Sequence, residues 1–414
     1  MDRVLTGVNA ITGSPLGASA WTVARTRQSV LQNNEILANL TNLTSEFKIG
    51  SVSHTVSSGL EFMSEKQLST TRAGLGTVAA ANLYQPNAND VVTGLNPVAN
   101  GAYTRGSTTT AALYAFDTVK LSEQFHINGG VRAERYNTDT NAATFTTVVV
   151  PAPFLEKSDT LVSWKVGALY KPTPAGSIYA ALANSKTPPG SANFALSAAA
   201  SSVNRPNLDP QETRNAEIGT KWDVLEKKLA LTAAVYRTEN TNEIVPIDAA
   251  ANIYSQLGKR RVQGVELGMV GQFTKAWQVT AGVAKMKATV IRGSTTGNTT
   301  TGADTRWSPE LTATLWSSYN VNNKLTVGGG WRYSSEQKRL VDPTADVTRQ
   351  NVQRIDSYAV ADAMLSYKVA KNLSLQLNVY NLLDKDYVNT LNNGGARYSR
   401  GLERSAQLSA SVIF

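Results

Sequence analysis

Ser405-Ala406-Gln407-Leu408-Ser409-Ala410-Ser411-Val412-Ile413-Phe414 ends the chain with an almost unbroken alternation. Ala406, Leu408, Ala410, Val412 and Phe414 form one row; Ser405, Gln407, Ser409 and Ser411 form the other, and only Ile413 is out of step. A β-strand sends successive side chains to opposite faces, so this stretch reads as a strand with one greasy and one wet side. The pattern recurs upstream. Leu373, Leu375, Leu377 and Val379 alternate with Ser374, Gln376, Asn378 and Tyr380, and Phe125, Ile127, Val131 and Ala133 alternate with His126, Asn128, Arg132 and Glu134. About sixteen segments read this way by period-two counting: 20–32, 36–49, 51–65, 107–121, 123–138, 159–171, 176–186, 211–224, 227–241, 258–273, 276–290, 309–321, 324–335, 353–369, 372–384 and 399–414.

A soluble antiparallel sandwich could share that alternation, and the connections argue against it. Short polar turns such as Gly50-Ser51, Thr274-Lys275, Asn322-Asn323 and Ala370-Lys371 alternate with long Gly-, Asn-, Thr-, Ser- or Pro-rich loops at 66–106, 139–158, 187–210, 242–257, 291–308, 336–352 and 385–398. Short turns on one end and long loops on the other mark a transmembrane barrel. Many segments reach the roughly 9–11 residues that a tilted strand needs to cross a bilayer. Aromatics near segment ends (Trp164, Tyr170, Trp277, Trp307, Trp331, Tyr333, Tyr358 and Tyr367) suit the membrane interface. In hydrocarbon every backbone polar group must be paired, so a spanning sheet has to close. The expected fold is an all-β transmembrane antiparallel barrel with both chain ends on the short-turn side.

Composition agrees. The 414 residues are 17% charged, with a net charge of +9 and no cysteine, whereas soluble proteins average about 25% charged. No stretch approaches the roughly 20 apolar residues of a membrane helix. Without cysteine there is no disulfide, thiolate zinc site, iron–sulfur ligation or cysteine nucleophile, and two histidines, His54 and His126, are too few for most metal sites. Both fall on segments read as polar faces. Catalysis by either would need a hydrogen-bonded nucleophile and an orienting carboxylate, and no motif supplies them, so neither an enzyme nor a cofactor is expected. The basic charge alone would allow nucleic-acid binding, but no aromatic platform, zinc module or basic helix accompanies it.

Several segments resemble the TonB-dependent outer-membrane receptors. Asn378-Val379-Tyr380-Asn381-Leu382-Leu383-Asp384-Lys385-Asp386-Tyr387 is similar to their penultimate-strand run N-V-x-N-L-x-D-K-x-Y. The ending, with Arg404 and Leu408 to Phe414, is similar to their last strand. Leu208-Asp209-Pro210-Gln211-Glu212 with Asn215 to Lys221 resembles their L-x-P-E-x-S-x-N-x-E-x-G-x-K strand. Val262-Gln263-Gly264-Val265-Glu266-Leu267 and His54 to Glu61 resemble two further strands, and Asn82-Leu83-Tyr84-Gln85-Pro86-Asn87 resembles a loop of the catecholate-type siderophore receptors. The resemblance implies TonB-energised import of a ferric siderophore across the Gram-negative outer membrane, with Phe414 engaging the barrel-assembly machinery and lipids around the wall.

The family barrel has 22 strands and an N-terminal plug carrying the TonB box. Residues 1–414 are therefore expected to be a partial barrel, about sixteen strands, with plug and first strands absent and Met1 an internal or misassigned start. A self-contained passive porin is the main alternative, and an autotransporter-type barrel a second. Anionic siderophores would be drawn by cations at the mouth: Lys259, Arg260 and Arg261; Arg332, Lys338 and Arg339; Arg349 and Arg354; Arg397, Arg400 and Arg404. Tyr254, Tyr333 and Tyr398 could stack on aryl groups. The binding set expected is Tyr254, Lys259, Arg260, Arg332, Tyr333 and Arg354, with no metal ligands of the protein's own. The same cations could instead pair with lumenal carboxylates or meet lipopolysaccharide phosphates outside. Glu217 with Lys221 and Arg132 with Glu134 are expected to form lumenal ion pairs, and the run Gly293 to Gly302 a solvated loop tip.

Overall fold

The computed structural model describes residues 2–12, 20–87, 89–191, 194–248, 251–294, 300–338, 354–391 and 398–413. Besides six strands of two to four residues that lie in the connections, sixteen long strands among them run as one antiparallel meander. In chain order these are β1 (Asp2–Thr12), β2 (Thr22–Ile49), β3 (Val52–Val78), β4 (Val92–Lys120), β5 (Phe125–Phe145), β6 (Leu155–Thr173), β7 (Gly176–Thr187) and β8 (Gln211–Val224). There follow β9 (Leu229–Asp248), β10 (Ile253–Gln272), β11 (Trp277–Arg292), β12 (Leu311–Asn320), β13 (Leu325–Ser334), β14 (Tyr358–Ala370), β15 (Leu373–Tyr380) and β16 (Ser405–Val412). Each pairs with the next, and among the described residues β1 pairs only with β2 and β16 only with β15.

The number sixteen matches the sequence reading, but the members differ. Segments 20–32 and 36–49 are one strand: β2 runs in unbroken register against β3 from Leu31↔Thr70 to Ile49↔Val52, straight through Asn33-Asn34. The place so vacated is taken by β1, whose pattern was too irregular to read. Strands β2, β3 and β4 hold 28, 27 and 29 residues. At about 3.3 Å per residue such strands are roughly 90 Å long, several times the apolar band of about 25 Å. Their far halves stand outside the membrane, where both faces meet water and alternation fades. The expected loop at 242–257 shrinks for the same reason, because β9 and β10 continue through bulges to Asp248 and Ile253.

Register separates the two faces. Residues directly opposite one another point the same way, so Ile218, Val235, Val265 and Lys285 lie in one row, as do Glu217, Tyr236, Gly264 and Met286. The first face is apolar over most of its height and carries Leu231, Leu267, Val283, Leu365, Leu377 and Leu408, all exposed or half-exposed. It is the lipid wall. The second carries the charges and tyrosines and is the lumen. An aromatic girdle rings the lipid wall at the short-turn end, where Phe125 stacks on Tyr170 at 4.6 Å, Phe47 on His54 at 5.1 Å and Phe273 packs against Trp277 at 4.8 Å.

His54 thus corrects the sequence reading. It lies on the lipid face with Val56 and Leu60, and its Nδ1 is 2.7 Å from Asp117 of the same face. The interface tolerates a ring with a polar tip. His126 sits opposite Lys120 on the polar face, as expected.

Candidate functional site

Three family-like segments owe their residues to one device, a tyrosine laid across a glycine on the next strand. A Cβ at Gly219 would lie 2.5 Å from the Tyr179 ring, one at Gly59 would lie 2.5 Å from the Tyr114 hydroxyl, and one at Gly264 would lie 2.9 Å from the Tyr236 hydroxyl. The tyrosines are held there by polar tips. Tyr179 donates to Glu217 at 2.5 Å while Lys221 stands 5.6 Å from its ring centre, and Tyr114 donates to Asn42. Glu217 and Lys221 are therefore joined through Tyr179 rather than as the ion pair expected. Arg132 does form its pairs, bridging Glu61 at 2.9 Å and Glu134 at 2.8 Å. Lys165 stands 4.7 Å above the Phe116 ring on the same lumenal wall.

The six expected ligand residues separate. Lys259 and Arg260 are neighbours on one strand, so only one can face the lumen. Arg260 does, paired with Glu243 at 2.9 Å, and Glu243 also receives a hydrogen bond from Asn240. Lys259 points to the outer face, where it and Arg261 share Glu239 at 2.7 Å each. The same parity splits Arg332 from Tyr333. Arg332 is lumenal and 2.6 Å from Asp362, whereas Tyr333 shares the outer face with Trp331, Ala313 and Ala359. Lys259 and Tyr333 are corrected to the outer wall. Tyr254 lies opposite Pro246, beyond bulges between Thr241 and Asp248 that break the alternation. Arg354 sits on a two-residue ladder against Lys338 above the β13–β14 end, 3.0 Å from Asp356 and well exposed. Arg400 bonds to Asp386 at 3.0 Å, which pushes its pKa up, and lies 3.3 Å from Glu403. Arg339, Arg349, Arg397, Phe414 and residues 295–299 of the 293–302 run lie outside the described residues.

Two features of the mouth had no clear sequence signal. The β7–β8 connection folds inward onto the lumenal wall of β4 and β5. Leu196 donates its N–H to Thr140 Oγ1 at 2.7 Å, Gly190 packs on Thr138, and a Cβ at Gly106 would collide with the Phe194 carbonyl. Leu196 and Leu208 of the connection are buried, as are Tyr136 and Leu161 of the lumenal wall. The second is a knot at the top of β15. Asn381, 0% exposed, donates to the carbonyls of Lys385 and Leu402 at 2.9 Å each and accepts from the Lys385 N–H at 2.8 Å. Its own N–H donates to Asp362 at 2.8 Å, and so to the carboxylate that holds Arg332. Asp384 accepts the Arg404 N–H at 3.0 Å, and Tyr387 packs on Tyr358 at 4.4 Å. The N-V-x-N-L-x-D-K-x-Y run is thus a brace that returns the chain from β15 to β16. The Asn82 segment is a tight turn, with Asn82 Oδ1 accepting the N–H groups of Tyr84 and Gln85.

A polar, ion-paired lumenal face behind an apolar antiparallel wall, with short turns below and a braced mouth above, defines the wall of an outer-membrane β-barrel. Residues 7–382 match the family model described as TonB dependent receptor-like, beta-barrel. The chain belongs to that family, whose members are proteins of the Gram-negative outer membrane. It is 39% identical to the catecholate siderophore receptor Fiu of Escherichia coli K12, over 100% of this chain and 56% of that protein. It is 29% identical to a probable TonB-dependent siderophore receptor, PiuA, of Acinetobacter baumannii, over 87% of this chain and 50% of that one. The solved closed form of the ferric-catecholate import receptor Fiu of E. coli K12 superposes with a TM-score of 0.91 at 38% identity, covering 100% of this chain and 60% of that one. The open form gives 0.81 at 34% identity, over 99% and 57%. The chain spans little more than half the length of the relatives it matches.

Proposed function

We propose that this chain is the barrel portion of a receptor that imports a ferric catecholate siderophore with energy supplied through TonB. The observation that carries the proposal is the 39% identity, maintained over the whole chain, to a catecholate siderophore receptor. The cationic mouth supports it: Arg260, Arg332 and Arg354 stand where an anionic ferric complex would enter, and a low-dielectric wall strengthens their field. No bond is made or broken in such a cycle; the relatives are receptors rather than enzymes. A plug and further strands, supplied outside residues 1–414, would close the two open sheet edges and couple to TonB. The barrel-assembly machinery would engage the β16 end, and outer-membrane lipids the apolar wall. Family membership favours this reading over a passive porin, although the inward β7–β8 connection is a device that a porin would also use.

Ligand binding by the complete receptor, followed by quenching of tryptophan fluorescence with a ferric catecholate, tests the proposal. Arg260→Gln is expected to weaken binding about tenfold, the scale on which focused charges act. Lys259→Gln, one residue away on the outer wall, is expected to leave it within about twofold. Equal losses from both, or from neither, would count against the assignment of the lumenal face to ligand.

A further inference from the structure

The outer face of β8–β11 carries cations that the import cycle does not use. Lys285 ends the uppermost apolar row of that wall, and toward the long loops come Lys287, Arg237, Arg214, Arg261 and Lys259, against Glu212, Glu239 and the nearby Glu310. Arg214 is tied to Glu212, and Lys259 and Arg261 to Glu239. Among the described residues Arg237 makes a neutral hydrogen bond, to Gln263 at 3.2 Å, and no ion pair. Lys285 and Lys287 form no ion pair among the described residues, and both are exposed. Among the described residues three cations thus lack a carboxylate partner, in two adjacent rows of a wall whose lower rows face hydrocarbon.

They stand at the head of a trough. A concavity of about 740 Å³ is lined by two ladder rows, Ile218, Val235, Val265 and Lys285 in the lower and Ala216, Arg237, Gln263 and Lys287 in the next toward the long loops. A second, of about 370 Å³, continues down the same wall between Trp222, Leu231, Leu267 and Met269, over the small side chains of Ala233 and Ala281. Ile218 and Val235 are 63% and 59% exposed, so the trough offers bare apolar surface directly beneath bare positive charge. Arg237, Gln263 and Lys287 lie in one ladder row across three strands, which sets the outer two about 10 Å apart at the usual strand spacing.

We infer that this trough is a binding site for lipopolysaccharide, its acyl chains lying along the alanine-floored groove and the phosphates of its diglucosamine headgroup meeting Arg237, Lys285 and Lys287. The charges complement two phosphates rather than one, and they sit at the long-loop end, which faces the outer leaflet. A phospholipid with a single phosphate would satisfy only part of the row.

Native mass spectrometry of the intact receptor, delipidated in detergent and offered defined lipids, tests this. Bisphosphorylated hexa-acyl lipid A is expected to bind at least tenfold more tightly than its monophosphorylated form or phosphatidylglycerol. The combined variant Arg237→Gln, Lys285→Gln and Lys287→Gln should lose that preference, while Lys371→Gln, at the short-turn end, should keep it. Equal binding of the three lipids by the unmodified receptor would overturn the inference without recourse to any variant. So would a folded triple variant that still prefers lipid A.

Discussion

Replacing Asn381 by alanine is expected to cost about 3 kcal/mol of stability, because it strands three buried backbone groups at roughly 1 kcal/mol or more each. The Lys385 N–H and the Lys385 and Leu402 carbonyls all lose their partner, and solvent does not reach the side chain. Backbone conformation adds to the loss. Asn381 has φ +49°, a region that asparagine tolerates better than alanine. Asn381→Gly relieves only the backbone term, so it should recover a minor part of the deficit. Asn381→Asp keeps the acceptor but turns both donors into a carboxylate facing two carbonyls, and should be at least as damaging as alanine. Urea unfolding of the receptor in detergent, read by gel mobility, measures each. A midpoint for alanine indistinguishable from the parent would remove the knot from the account.

The second large effect concerns the mouth. Gly106→Ala places a methyl group where the Phe194 carbonyl now lies, and backbone cannot yield as a flexible side chain would. The connection between β7 and β8 should lift from the wall, breaking the Leu196–Thr140 hydrogen bond and exposing Leu196 and Leu208. Protease cleavage between residues 195 and 208 is expected to accelerate at least tenfold, as expected when about 1.4 kcal/mol or more of local stability is lost. Gly129→Ala is the matched control, since the nearest atom to its new Cβ, the Lys165 carbonyl oxygen, is 3.6 Å away. It should cleave at the parental rate. If Gly106→Ala did the same, the connection would not be seated on this wall.

How far sequence reveals such a barrel depends on where each residue stands relative to the membrane. Within the hydrocarbon band one face must be apolar, so strands such as Leu373–Tyr380 and Ser405–Val412 show themselves by parity. Beyond it both faces meet water, and Gln32-Asn33-Asn34 reads as a break although β2 passes through it. Charge clusters suffer a related ambiguity. Lys259-Arg260-Arg261 looks like one cationic site, yet strand geometry divides it between lumen and exterior, and only register against β9 says which residue goes where. His54 lies on the lipid face because the interface accepts polar side chains, so polarity there does not mark the lumen. The N-V-x-N-L-x-D-K-x-Y run was visible as a resemblance, but its work is done by contacts with Asp362 and Leu402, 19 and 21 residues from Asn381. Leu196 and Leu208, isolated apolar residues in a Ser-, Ala- and Pro-rich loop, were the one hint that this loop turns inward.

Uptake of iron-55 ferric catecholate by iron-starved cells decides the central claim. The cells would lack their own catecholate receptors and express the complete receptor that contains this barrel, with TonB either present or deleted. The expected result is saturable uptake with TonB and none without it, abolished by Arg260→Glu combined with Arg332→Glu but not by Lys259→Glu. Uptake that is non-saturable, independent of TonB and shared by small sugars would contradict it, and would identify a passive pore.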